Sequence, residues 1–180
     1  MKRCVIGIDN GVSGSICVIH DTGEVFYTKA PTFEQLSYQK EKKYFTRIKT
    51  SELRKWLRKN IDEATVIRCY LERPFVNPKA FNATLSAVRA YEATLVVIEE
   101  LGIPYSTIDS QEWQKDMLPK GIINTKKSKD KKERKTQKKE AKRAADDIAR
   151  KLFPSVPIDF EGGGDGLLIA EWARKKWFTK

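Results

Sequence analysis

A chain of 180 residues, 40% of them hydrophobic, fits a single domain with a real core and leaves no room for a multi-domain machine. Its 35 basic residues exceed its 24 acidic ones by 11, a balance that points to a polyanionic partner such as nucleic acid. The longest nearly unbroken apolar runs, such as Leu95 to Ile98, fall far short of the ~20 residues of a membrane-spanning helix, so no membrane partner is expected.

Residues 3 to 9 alternate Cys4, Ile6 and Ile8 with Val5, Gly7 and Asp9, then break at Asn10-Gly11, the pattern of a strand ending in a carboxylate. Gly7, Asp9 and Asn10 also cut the apolar stretch too early for a signal peptide, and an intracellular, cytoplasmic protein is expected. Ser15 to His20 and Glu24 to Thr28 read as two more strands around an Asp21-Thr22-Gly23 turn, an antiparallel opening. Between Pro31 and Tyr44 no period is convincing, and Lys40, Lys42 and Lys43 suggest a surface loop. Thr50 or Ser51 is placed to cap a helix through about Asn60, with Leu53, Trp56 and Leu57 at helical spacing.

Val66 to Leu71 is a fourth apolar run and also ends in a carboxylate, Glu72. After Pro74 and Pro78, Phe81, Leu85, Val88, Leu95 and Ile98 recur along one helix face up to a Gly102-Ile103-Pro104 stop. Tyr105 to Ile108 is a fifth strand, followed by a helical turn at Trp113. Ala141 to Phe153 reads as a helix, and a last helix starts at Asp165 with Leu168, Ile169, Trp172 and Ala173 as its buried stripe.

Most of the excess charge is local. Lys120 to Arg143 holds twelve basic residues against three acidic ones, a net +9 of the total +11. One domain spanning 1–180 is expected, with a flexible basic segment at about 120–143 that orders on DNA and contacts phosphates without sequence preference. Cys4, Cys17 and Cys69 lie in strand-like sequence, as reduced buried thiols do, and His20, the only histidine, gives a histidine-based triad or zinc site little to work with.

Asp9 and Glu72 close strands and Asp165 opens a helix. If the strands are neighbours, the three meet on one rim, where their repulsion makes sense with a divalent cation among them. Hard oxygen ligands suit Mg2+ or Mn2+. Taken singly, each acid is equally a turn former or a helix-start residue.

These residues resemble a known family. Gly7-Ile8-Asp9-Asn10-Gly11 looks like the first strand of RuvC-type Holliday junction resolvases, members of the RNase H-like (retroviral integrase) superfamily. Leu71-Glu72-Arg73-Pro74-Phe75 resembles the strand-ending Glu with an aromatic three positions later. Asn82 to Ala90 is similar to the helix that follows, and Asp165-Gly166-Leu167-Leu168-Ile169-Ala170-Glu171-Trp172 to the closing helix. The blocks run in family order from residue 6 to about 174, and the likeness is strongest to the compact, phage-type branch, which implies a bacterial cytoplasm as the workplace. Two departures stand out: Asn10 where Pro is common, and Gly162 where a fourth Asp or His usually stands three residues before the last Asp.

The resemblance implies an α/β, RNase H-like fold: a mixed five-stranded sheet, three antiparallel then two parallel strands, flanked by helices. It implies hydrolysis of DNA at a four-way junction, two Mg2+ ions per site with Mn2+ as substitute, and a homodimer paired through the helix at about Lys79 to Leu101; it names no helicase partner. Asp9, Glu72 and Asp165 are then the metal ligands, with Glu161, or failing it Asp159, in place of the missing fourth ligand. Lys142, with Lys115 as second candidate, is the lysine that neutralises charge on the phosphate, and Phe75 stacks on bases between Arg73 and Lys79. Lys126, Lys127, Lys138 and Lys139 are the expected DNA contacts within the basic run. Two other readings share these residues: a non-catalytic nucleic-acid-binding module, and an RNase H-like nuclease acting on other substrates such as RNA-DNA hybrids. An actin-like or sugar-kinase-like ATP binder is suggested by Asp9 to Gly14, but needs a second lobe that 180 residues do not provide.

Overall fold

The computed structural model describes residues 2–37, 44–62, 64–120, 122 and 131–178. Its main sheet has five strands: β1 (Arg3–Ile8), β2 (Ser15–His20), β3 (Val25–Lys29), β6 (Val66–Glu72) and β7 (Tyr105–Ile108), in the order β3-β2-β1-β6-β7. β1, β2 and β3 pair antiparallel, while β6 runs parallel to β1 and β7 parallel to β6. The mixed five-stranded sheet expected from the sequence is therefore present.

Both faces of the sheet are covered, as parallel pairing demands. On one face Cys4, Ile6, Ile8, Ile16 and Val18 pack under α1 (Thr50–Ile61) and α2 (Phe81–Glu100). On the other, Val5, Cys17 and Ile19 pack under α3 (Ser110–Met117), α4 (Lys131–Leu152) and α5 (Gly164–Phe178). This explains why β1 and β2 read as nearly continuous apolar runs. Cys4, Cys17 and Cys69 are all buried free thiols, and burial pushes the Cys4 thiol up to about 12. His20 is buried and its Nε2 donates to the Asn60 carbonyl, 2.7 Å away, so it serves packing.

Several boundaries differ from the sequence reading. Residues 31 to 44 are not simply a surface loop, because β4 (Thr32–Leu36) and β5 (Tyr44–Ile48) form a separate antiparallel hairpin. Neither Thr50 nor Ser51 caps α1: Lys49 is the N-cap residue and makes no side-chain cap bond. α2 begins at Phe81 rather than near Lys79. α4 starts ten residues before the expected Ala141, so the second half of the basic run is helical, and Lys126 and Lys127 lie outside the described residues. α5 buries Leu167 to Ala173 continuously instead of a stripe, which is how a helix enclosed on all sides behaves.

The placement of α5 depends on two close approaches. A Cβ on Gly7 would lie 2.3 Å from the Ala170 backbone nitrogen, and one on Gly166 would lie 2.5 Å from the Ser15 carbonyl oxygen. Only glycine lets the α5 backbone come so near β1 and β2. The Gly166 N–H donates to Ser15 Oγ at 3.0 Å and fixes the contact.

Candidate active site

The parallel register of β1 and β6 pairs Ile8 with Leu71, so Asp9, just past the end of β1, and Glu72, the last residue of β6, lie side by side at the carboxyl edge of the sheet. The close approach of α5 at Gly7 brings Asp165, in the first turn of that helix, to the same edge. The three carboxylates predicted to share a rim do so through sheet register and one glycine contact.

Their electrostatics confirm the proximity. All three are partly exposed, yet enough protein surrounds each carboxyl that burial is the first cause of its raised pKa. Asp9 is held well above the usual carboxylate range by burial, then by the charges of Asp165 and Glu72. Asp165 is pushed up to about 7 by burial, Glu72 and Asp146. Glu72 is raised by burial and by Asp109, against the Trp113 hydrogen bond and Lys142. Lys142 is the one cation that opposes the rise at all three. Lys115, the second candidate, is exposed on α3.

Each acid has its own support. Trp113, fully buried, donates its Nε1–H to Glu72 Oε2 at 3.0 Å, which favours the ionised form and fixes the rotamer. Asp146 was not singled out from the sequence, where it is one acid among many on a charged helix. Buried at 3% exposure, it accepts the N–H groups of Gly162 and Gly164, each at 2.8 Å, and so ties α4 to the start of α5. Its signal in the sequence is its place four residues after Lys142, beside Ala145 and Ala149 on the inward face of α4. Tyr27 OH donates to the Gly163 carbonyl at 3.0 Å and pins the same turn from β3.

Gly162 itself has φ +82°, and a Cβ there would meet Lys142 Nζ at 3.0 Å. The position where the family resemblance leads one to expect a fourth acid is thus the space beside the lysine ammonium. Glu161, expected in its place, is exposed and lines a cleft of about 420 Å3 with Arg143, Asp146, Asp147, Asp159 and Arg150. Asp159 faces the same cleft.

The expected DNA contacts are mixed. Phe75 is 74% exposed, so it does not anchor its turn in the core. Arg73 is exposed but already paired with Asp109, its Nε 3.1 Å from Oδ1. Lys79 and Lys139 are exposed, and Lys138 lies within α4.

Among the described residues, no three acid, histidine or cysteine side chains converge at the spacing of a formed metal site. The trio is held within Coulomb range instead. A hard, oxygen-only donor set with three carboxylates and one ammonium still fits Mg2+ or Mn2+ by its chemistry.

Among the described residues, no helix is long and apolar enough to cross a membrane. No family model and no curated protein sequence matches the chain. Among solved structures, T. thermophilus RuvC in complex with Holliday junction substrate matches at a TM-score of 0.52 and 14% identity, over 97% of this chain and 96% of that one. A second Thermus thermophilus RuvC structure matches at 0.45 and 12%, over 94% and 91%. Over nearly its whole length, then, this chain has the RNase H-like fold of RuvC.

Proposed function

We propose that the chain is a metal-dependent, structure-selective endonuclease that resolves Holliday junctions by paired phosphodiester hydrolysis, as a phage-type RuvC resolvase would. One observation carries the reading: Asp9, Glu72 and Asp165 are gathered at one sheet edge, where Glu72 raises the proton affinity of Asp9 and Asp165, Asp165 raises that of Asp9, and Lys142 opposes the rise at all three. A purely structural role would not favour such a cost. The RuvC fold, described elsewhere with junction substrate, supports junction DNA as the partner.

Asp9, Glu72 and Asp165 would hold two Mg2+ ions, or Mn2+ as substitute. When bound, such ions supply an activated water and offset charge on the phosphate and leaving oxygen. The chain's own residues do the positioning. Trp113 favours the ionised form of Glu72 and orients it, and Asp146 sets the first turn of α5 and with it Asp165. Lys142, beside Gly162, is placed to offset charge developing on the scissile phosphate. Phe75 offers a ring for base stacking, and Lys79, Lys115 and Lys139 contact phosphates. Cutting both strands of a two-fold junction evenly calls for a homodimer.

The test is cleavage of a synthetic four-way junction against Y-fork, duplex and RNA-DNA hybrid substrates, with Mg2+ and then Mn2+. Paired symmetric nicks that vanish in Asp9→Asn while junction binding persists are expected. Mg2+-dependent cutting unchanged in Asp9→Asn would sink the proposal, and preferential cutting of hybrids would move it to another RNase H-like activity.

A further inference from the structure

The β4–β5 hairpin packs against α2 and leaves a groove of about 710 Å3 between them. Pockets of roughly 300–1,000 Å3 hold molecules of nucleotide size. From α2 the groove takes Asn82, Leu85, Ser86 and Arg89, spaced i, i+3, i+4 and i+7 on one helix face. From the hairpin it takes Arg47 and Tyr44 among others.

Its chemistry is one-sided. Among the described residues of the lining the two arginines are the only charged ones, and none is a carboxylate. Neither guanidinium is spent on a described acid: Arg47 Nη1 donates to Gln35 Oε1 at 2.9 Å, and Arg89 lies 5.2 Å over the Phe45 ring. Both contacts hold the groups in place, and no described acid offsets their charge. The cleft near Glu161 is the contrast, since its Arg143 and Arg150 are outnumbered by Asp146, Asp147, Asp159 and Glu161. Of these two clefts, the hairpin groove has the described lining that suits an anion.

Two further features narrow the ligand. Tyr44 is 65% exposed and Phe81, at the start of α2, is 71% exposed, large rings left in water that suit base stacking. Asn10, the residue after Asp9, donates its Nδ2–H to the Ala87 carbonyl at 3.3 Å, so the stretch of α2 that lines the groove is tied to the loop carrying the first catalytic acid.

We infer that this groove is a second nucleic-acid subsite, which takes a single DNA strand extending from the candidate active site, its phosphates on Arg47 and Arg89 and a base on Tyr44. The inference rests on the nuclease reading for its biological substrate but not for its binding. Binding is therefore measured in EDTA, without cleavage, by fluorescence anisotropy of a labelled oligothymidylate and of a four-way junction across a salt series. The R47A/R89A double variant is expected to bind both about tenfold more weakly and to lower the salt slope by about one to two, since each lost phosphate contact removes about 0.7 from the slope on a single strand. The R58A/K59A variant, which loses the same charge from exposed positions on α1, is expected to stay within about twofold of the parent protein.

Unchanged affinity and slope in R47A/R89A would overturn the inference, as would an equal loss in R58A/K59A. So would sedimentation showing that R47A/R89A has lost self-association while binding DNA as before, which would make the groove a contact between copies. Photocrosslinking of iodouracil-substituted oligothymidylate to the unaltered protein needs no variant to fold: adducts at Tyr44 or Phe45 are expected, and adducts only elsewhere refute the subsite. A protein that fails to cut junctions yet loses binding in R47A/R89A would retain the groove and lose the resolvase reading. Junction cutting with unaltered binding in R47A/R89A would do the reverse.

Discussion

Asp165→Asn is expected to stabilise the metal-free protein, and the size of the gain follows from the site. The Asp165 carboxyl is raised from 3.8 to about 7 by burial and by neighbouring acids. That shift corresponds to about 4 kcal/mol disfavouring the ionised form. Because the group keeps some solvent contact, about 3 kcal/mol is expected to be measurable. The folded state binds the proton more tightly than the unfolded state, so stability is present below the unfolded value and is lost as pH rises through about 4 to 7. Asp9, raised as well, adds to the same slope. Thermal unfolding in EDTA should therefore show Tm falling from pH 5 to pH 8. Asp165→Asn, at pH 8, should raise Tm by about 6–12 °C and flatten the slope. Mg2+ should raise the Tm of the parent protein at pH 8 and have much less effect on the variant. A parent Tm independent of pH over this range, or an Asp165→Asn variant no more stable at pH 8, would refute the crowded-carboxylate account.

Two other changes probe the supports of the site. Trp113→Phe removes the indole N–H from Glu72 and leaves a small void in the core, which should cost about 2–4 kcal/mol in urea denaturation. Because that hydrogen bond lowers the Glu72 pKa, a carboxyl NMR titration should show it higher still in Trp113→Phe. Gly162→Ala places a Cβ at positive φ and 3.0 Å from Lys142 Nζ, so it should cost about 1–2 kcal/mol and displace the ammonium. Junction cleavage by Gly162→Ala should fall more than junction binding, and equal losses in the two assays would count against the role given to Lys142.

Much of the architecture was legible because its signals are local. Asp9 and Glu72 stand at the ends of strands whose apolar runs are unmistakable, and the Gly102-Ile103-Pro104 stop marks the end of α2. The β4–β5 hairpin was missed for a physical reason: a two-stranded sheet has little stability of its own and here leans on α2, with Phe45 beneath Arg89, so its pattern is set by a distant partner. The early turns of α4 were missed because Lys131 to Glu140 offers no apolar stripe for periodicity to read, although lysine, arginine and glutamate are good helix formers.

The sequence by itself determined the strands and helices, the carboxylates that end or begin them, and the concentration of positive charge between Lys120 and Arg143. Only the tertiary structure decided which charges meet. Asp146 and Glu161 border the same cleft, yet Asp146 is buried and holds the backbone at the start of α5 while Glu161 is exposed. Likewise Arg47 and Arg89, 42 positions apart, share a groove only because a hairpin and a helix pack together. Pairwise electrostatics falls off over a few ångströms, whereas the residues that supply it are separated by tens of positions, so their coupling is fixed by packing and not by local pattern.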